Sequence, residues 1–214
     1  MKRALLTLAC TAALLGAANQ AQADILLYTT PGAIQPDENL LFNGSVISGP
    51  ALTVQGLTNQ SGTVFDLTGT ENLIASGGQA RVEDEAQDGF NSLFIDAFDP
   101  KTFFTMFEAN LNAIGDGSAM ITATDSTGKQ FAFDPFDLDG NGENFFSLEA
   151  VAGQKIDTIQ ILTIGTSLSD VRQIRIGGIT TDGGGTPDPV PEPTLMALVG
   201  VGLLGAGIFR RRAN

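Results

Sequence analysis

Apolar and polar residues alternate with a period of two through most of residues 24–181, and Gly, Thr, Asn and Asp break the alternation at short intervals. Side chains on a strand point to opposite faces in turn, so the pattern predicts strands with one buried and one open face. Ala80, Val82 and Asp84 alternate with Arg81, Glu83 and Glu85, which suits an edge or surface strand guarded by charge. Phe103, Phe107, Ala109 and Leu111 share one face of a strand, with Glu108 and Asn110 on the other. The break Asp99-Pro100-Lys101-Thr102 predicts a hairpin between that strand and residues 93–98. A second hairpin is predicted where residues 120–124 and 129–133 flank Asp125-Ser126-Thr127-Gly128, whose glycine suits the left-handed position of a bulged loop. Ile159 and Ile161, and later Ile174 and Ile176, alternate with polar neighbours and predict two half-buried strands. About ten such strands without an amphipathic helix predict an all-β fold, an antiparallel β-sandwich of jelly-roll type. The chain's 14 phenylalanines, all but Phe209 within 24–181, are the natural core formers, while a single tyrosine and no tryptophan leave few rings for stacking sugars.

The two ends of the chain follow other patterns. Met1-Lys2-Arg3, an apolar run to Ala18 and Ala21-Gln22-Ala23 predict a secretory signal peptide over 1–23, cut by signal peptidase before Asp24. The chain's one cysteine, Cys10, falls inside that segment. The mature domain therefore relies on burial or a bound ion and not on a disulfide. A domain over 24–181 is followed by a glycine-rich linker over 182–190 and a terminal segment over 191–214. Within that segment residues 194–209 carry no charge and predict a short transmembrane helix. At about 1.5 Å per residue it covers roughly 24 Å, less than the ~30 Å hydrocarbon core. Gly200, Gly202, Gly205 and Gly207 give it a smooth face for another helix. Arg210, Arg211 and Arg212 favour the cytoplasmic side, which leaves Pro191, Glu192 and Pro193 on the periplasmic one.

Taken together, Pro191-Glu192-Pro193, the hydrophobic run and the closing arginines resemble the PEP-CTERM sorting signal of Gram-negative exported proteins. The resemblance implies an exosortase-type membrane enzyme as partner. It also implies passage through the inner membrane, then a place at the cell surface or in an extracellular matrix of exopolysaccharide and biofilm. Residues 57–63, 78–82, 139–146 and 170–178 are similar to the extracellular domain that often precedes such a signal. That resemblance supplies an address and no activity.

Charge and chemistry narrow the picture further. The chain's net charge is −13, and only Arg81, Lys101, Lys129, Lys155, Arg172 and Arg175 are positive within 24–181. So acidic a surface repels nucleic acid and suits divalent cations or plain solubility. Asp137, Asp139 and Asn141, with the carbonyl of Glu143, match the first half of a Ca²⁺ loop, because oxygen ligands at alternate positions with a glycine turn let the chain wrap a cation. The second half departs from the pattern, with Leu148 standing where a bidentate acid belongs. The alternative for this stretch is a glycine-rich hairpin turn between Phe136 and Phe145. The chain has no histidine, which removes the usual general base and the Ser-His and Cys-His pairs. Asp96, Asp99 and Glu108 remain as acids for a carboxylate-only glycosidase pair. The expectation is an exported, non-enzymatic surface or matrix protein; the alternative is a secreted carbohydrate-binding module or a carboxylate-only glycoside hydrolase.

Overall fold

The computed structural model describes residues 24–43, 46–76 and 81–182. The expected signal peptide over 1–23, nearly all of the linker, and the terminal segment with Pro191 to Pro193, its helix and Arg210 to Arg212 lie outside the described residues. The chain divides into two compact units, Met1–Thr181 and Asp182–Asn214, and the described residues fall almost wholly in the first.

The strands are β1 (Asp24–Tyr28), β2 (Glu38–Leu41), β3 (Ala51–Thr58), β4 (Val64–Ser76), β5 (Arg81–Asp84), β6 (Ser92–Ala97), β7 (Thr102–Phe103), β8 (Met106–Ala113), β9 (Gly117–Asp125), β10 (Gln130–Ala132), β11 (Phe136–Leu138), β12 (Asn144–Val151), β13 (Ile156–Ile164), β14 (Leu168–Gly177) and β15 (Thr180–Thr181). All their pairings are antiparallel. Five of them nest like brackets: β5 beside β14, β6 beside β13, β8 beside β12, and β9 beside β10 and β11. The chain crosses between two sheets as it proceeds, with β5, β8, β12 and β14 in one and β6, β9, β10, β11 and β13 in the other. This nesting is the jelly-roll order, so the predicted sandwich is present. Along one side β2 joins β14 to β3, and β4 pairs with β3, β5 and β6, so hydrogen bonding continues from one sheet into the other.

One apolar cluster fills the space between the sheets, with Val82, Phe107, Leu111, Phe146 and Val171 from the first facing Phe65, Leu67, Ile95, Ile121 and Ile159 from the second. The rings of Phe65 and Phe104 meet edge-on at 5.6 Å, and Phe104, Phe107 and Phe146 continue the contact.

Four local expectations need correction. Strand β6 does not pair with β8; it pairs with β4 and β13, and Asp99 to Lys101 begin a crossing from one sheet to the other. Phe104 fixes that crossing through a bridge to Ile156. Nor is β5 an edge strand, because β4 and β14 flank it and Val82 and Asp84 are buried. The outward face of β8 is not open, since Glu108 and Asn110 are buried as well. Glu108 accepts a hydrogen bond from Gly32 N in the segment after β1, and it pairs with Arg175. Finally, residues 139–143 are not a hairpin turn, because β11 pairs with β9 while β12 pairs with β1 and β8. The hairpin of β9 and β10 is as expected: Gly128 has φ +85°, and Asp125 accepts from the N–H groups of Thr127 and Lys129.

Candidate functional site

Strands β5, β8 and β14 run side by side, with Val82, Leu111 and Val171 in register and turned to the core. Alternation then sends their polar neighbours outward. On that outer face Arg81 stands opposite Arg172 and Glu83 opposite Asp170, while Asn112 flanks Asp170 from β8. Like charges directly across a strand pair repel, so each row is held by the other. Arg81 pairs along its own strand with Glu83 and lies 3.7 Å, Nε to Oδ2, from Asp170. Arg172 Nε lies 3.8 Å from Oδ1 of Asp170.

These residues, with Asp84, Gln87 and Ser169, line a cleft of about 320 Å³. Asp170 is only 2% exposed; its Oδ2 accepts hydrogen bonds from Asn112 Nδ2 at 2.8 Å and Ser169 Oγ at 3.4 Å. Its Oδ1 and the Nε of Arg81 are buried and have no hydrogen-bond partner in the protein. Asp84, also buried, accepts from the N–H groups of Asp88 and Gly89 and so shapes the loop after β5. Within that loop Gln87 holds φ 59°, an uncommon left-handed conformation for a residue with a side chain.

Asp84 also belongs to a second group: carboxylate oxygens of Glu71, Asp84 and Asp88 lie within 4.8 Å of one another, the donor set among the described residues that could hold a metal ion. Burial, then the charges of Asp84 and Asp88, push the Glu71 carboxyl up. The predicted calcium residues are placed differently. Asp137 is an exposed residue of β11, and Asp139, Asn141 and Glu143 are exposed in the loop before β12. Asp139 Oδ1 accepts from Asn141 N, Asp116 accepts from Gly140 N, and Asn144 ties the loop down through Asp139 N, Asp139 O and Leu111 O. Periodicity gave no sign of the cleft or of the Glu71 group, because register alone brings together β4, β5, β8 and β14.

Of the acids considered for a glycosidase pair, Asp96 and Glu108 are separated, and Asp99 is an exposed residue that accepts from Lys101 N. Asp96 faces outward from β6 and Glu108 outward from β8, on opposite sides of the sandwich. Asp96 lies beside Asp66 on β4, and burial, then the charges of Asp66 and Asp157, push its carboxyl up to about 6. A carboxyl that holds its proton more tightly in the folded chain favours folding most where it is protonated. Its contribution therefore weakens as pH rises from about 4 to about 6 and stays reduced above that. Asp96→Asn is expected to raise the unfolding free energy at pH 8 by about 1 kcal/mol, below the ~3 kcal/mol that two pKa units represent, because the group is partly solvated. Urea unfolding at pH 4, 6 and 8 checks this; parallel pH curves for the variant and wild type would contradict it.

At the other end of the chain, residues 189–212 match the PEP-CTERM protein-sorting motif. The chain carries a PEP-CTERM sorting motif. Such a motif marks an exported protein that an exosortase recognises and sorts at the membrane. The match includes the positions of Pro191, Glu192, Pro193, Arg210, Arg211 and Arg212. No curated protein matches the chain. Among solved structures it is similar to CBM29_1, a family 29 carbohydrate binding module from Piromyces equi, at 12% identity, covering 65% of this chain and 89% of that one with a TM-score of 0.36. It is also similar to another family 29 module at 14% identity, covering 75% and 99% with a TM-score of 0.37. Nothing about ligands passes to this chain from likenesses so distant, and the fold assignment rests on the strand pairing.

Proposed function

We propose that the chain is a non-catalytic exported β-sandwich that serves at the cell surface or in the extracellular matrix of a Gram-negative bacterium, delivered there by an exosortase-type enzyme. The observation that carries this reading is the sorting motif at 189–212, immediately beyond the β domain and its glycine-rich linker. The domain's chemistry suits holding more than transforming. In the cleft Glu83 and Asp170 are paired with arginines and Asp84 is occupied by backbone N–H groups, an arrangement that holds the carboxylates in place. A carbohydrate-binding role is the second reading, favoured by the same cleft; a carboxylate-only hydrolase gains nothing from Asp96 and Glu108 on opposite faces.

Replacing Pro191, Glu192 and Pro193 together by alanine tests the delivery. Cell fractionation should find the wild-type chain at the surface or in the matrix and the variant retained with the inner membrane. Equal distribution of the two would sink the proposal.

A further inference from the structure

The cleft of β5, β8 and β14 presents a row of hydrogen-bond donors, Arg81 and Arg172, beside a row of acceptors, Glu83 and Asp170. Side-chain hydrogen bonds between the two rows are incomplete. The Nε of Arg81 and the Oδ1 of Asp170 are buried without partners, and the arginine contacts to Asp170, at 3.7 and 3.8 Å, exceed hydrogen-bond length. A buried polar group left in that state is costly, so a group that satisfies both atoms binds with a gain. An anion would satisfy only the donor, and a cation only the acceptor. A hydroxyl satisfies both kinds, since its oxygen accepts while its hydrogen is donated.

Net charge points the same way. Two guanidinium groups face three carboxylates, Glu83, Asp84 and Asp170, which disfavours phosphates and acidic sugars, and the guanidinium groups oppose a bare divalent ion. Asn112, Ser169 and Gln87 add uncharged donors and acceptors to the lining. Among the described residues no aromatic side chain lines the cleft, so binding there draws on hydrogen bonds and not on ring stacking. The volume of about 320 Å³ suits a single sugar ring at a chain end or branch.

We propose that this cleft binds a neutral saccharide through a vicinal diol, one hydroxyl donating to Asp170 Oδ1 and its neighbour accepting from Arg81 Nε, with Arg172, Asn112 and Ser169 bracketing the ring. The inference rests on the proposed surface or matrix role, where saccharides would be the surrounding polymer. Arg81 supplies geometry as well as charge, because its Nε–H has no counterpart in lysine.

Saturation-transfer NMR on the full-length protein in detergent tests it, with methyl α-D-mannopyranoside and methyl β-D-glucopyranoside as probes and cyclohexanol as a single-hydroxyl control. Transfer to at least one glycoside, with a dissociation constant on the order of millimolar, is expected, and none to cyclohexanol. Asp170→Asn and Arg81→Lys should each weaken glycoside binding by about tenfold or more. Should Asp170→Asn fail to fold, Arg81→Lys, whose side chain is 39% exposed and keeps its charge, decides the matter through an unchanged melting temperature. No transfer to either glycoside, equal transfer to cyclohexanol, or unaltered binding by folded Arg81→Lys overturns the proposal. So does a melting temperature raised by calcium or phosphate but by neither glycoside. Delivery is read separately: a protein that reaches the surface yet ignores both glycosides removes the ligand alone, and one that binds them but is not delivered removes the sorting reading alone.

Discussion

Replacing Phe104 by alanine is expected to lower the free energy of unfolding by about 3–5 kcal/mol, a large share of the roughly 5–15 kcal/mol that holds a domain folded. Its ring is fully buried and stands where the chain crosses between sheets, touching Phe65 of β4 on one side and Phe107 of β8 on the other. Its backbone also bridges Ile156 by hydrogen bonds in both directions. Truncation would leave a cavity lined by both sheets, and neither can collapse inward without breaking the register of β6 with β13 or of β8 with β12. Phe94→Ala is the control, since that ring lies on the outer face of β6 and is 38% exposed; a change within about 0.5 kcal/mol is expected there. Chemical unfolding of the three proteins measures both values. A loss below about 1 kcal/mol for Phe104→Ala would mean that the two sheets do not share one core.

The contrast between these phenylalanines also shows what could be read from the chain itself. Period-two alternation marks Ile159, Ile161, Ile174 and Ile176 as inward, and all four are buried. Turn chemistry at Asp125-Ser126-Thr127-Gly128 gives the one hairpin correctly, because a hairpin is local and its loop residues determine it. Jelly-roll pairing is not local. Strand β5 finds its partner β14 across more than half of the domain, so a short charged strand that looks like an edge is in fact flanked on both sides. Glu108 and Asn110 look solvent-facing because their neighbours on β8 are core residues. They are buried because the segment after β1 supplies Gly32 N, β12 supplies Ser147, and β14 supplies Arg175 and Gln173. Each of those partners is remote in sequence, and none has a periodic signature.

The sorting signal and the cleft differ in the same way. The sorting motif is a linear signal, read by an enzyme as a stretch of chain, and its parts stand in order in the sequence. The cleft is assembled from three strands and a loop, so its residues carry no shared pattern until register brings them together. Asp139 and Asn141 stand at a spacing that suggests a cation loop, and they close a turn that Asn144 anchors.

The second large effect concerns the tail, where the outcome is all or none. As a helix, the uncharged run over 194–209 would cover roughly 24 Å, short for an anchor, and its glycines would favour close approach to a membrane partner over independent stability. Cleavage at the Pro-Glu-Pro side would remove the run and the three arginines together, freeing an acidic, cysteine-free domain into the surface layer. Intact-mass spectrometry of the protein recovered from the cell surface is the most direct measurement. The expected mass lacks residues 195–214; recovery of the chain with Arg210, Arg211, Arg212 and Asn214 still attached would contradict delivery by a processed sorting tag.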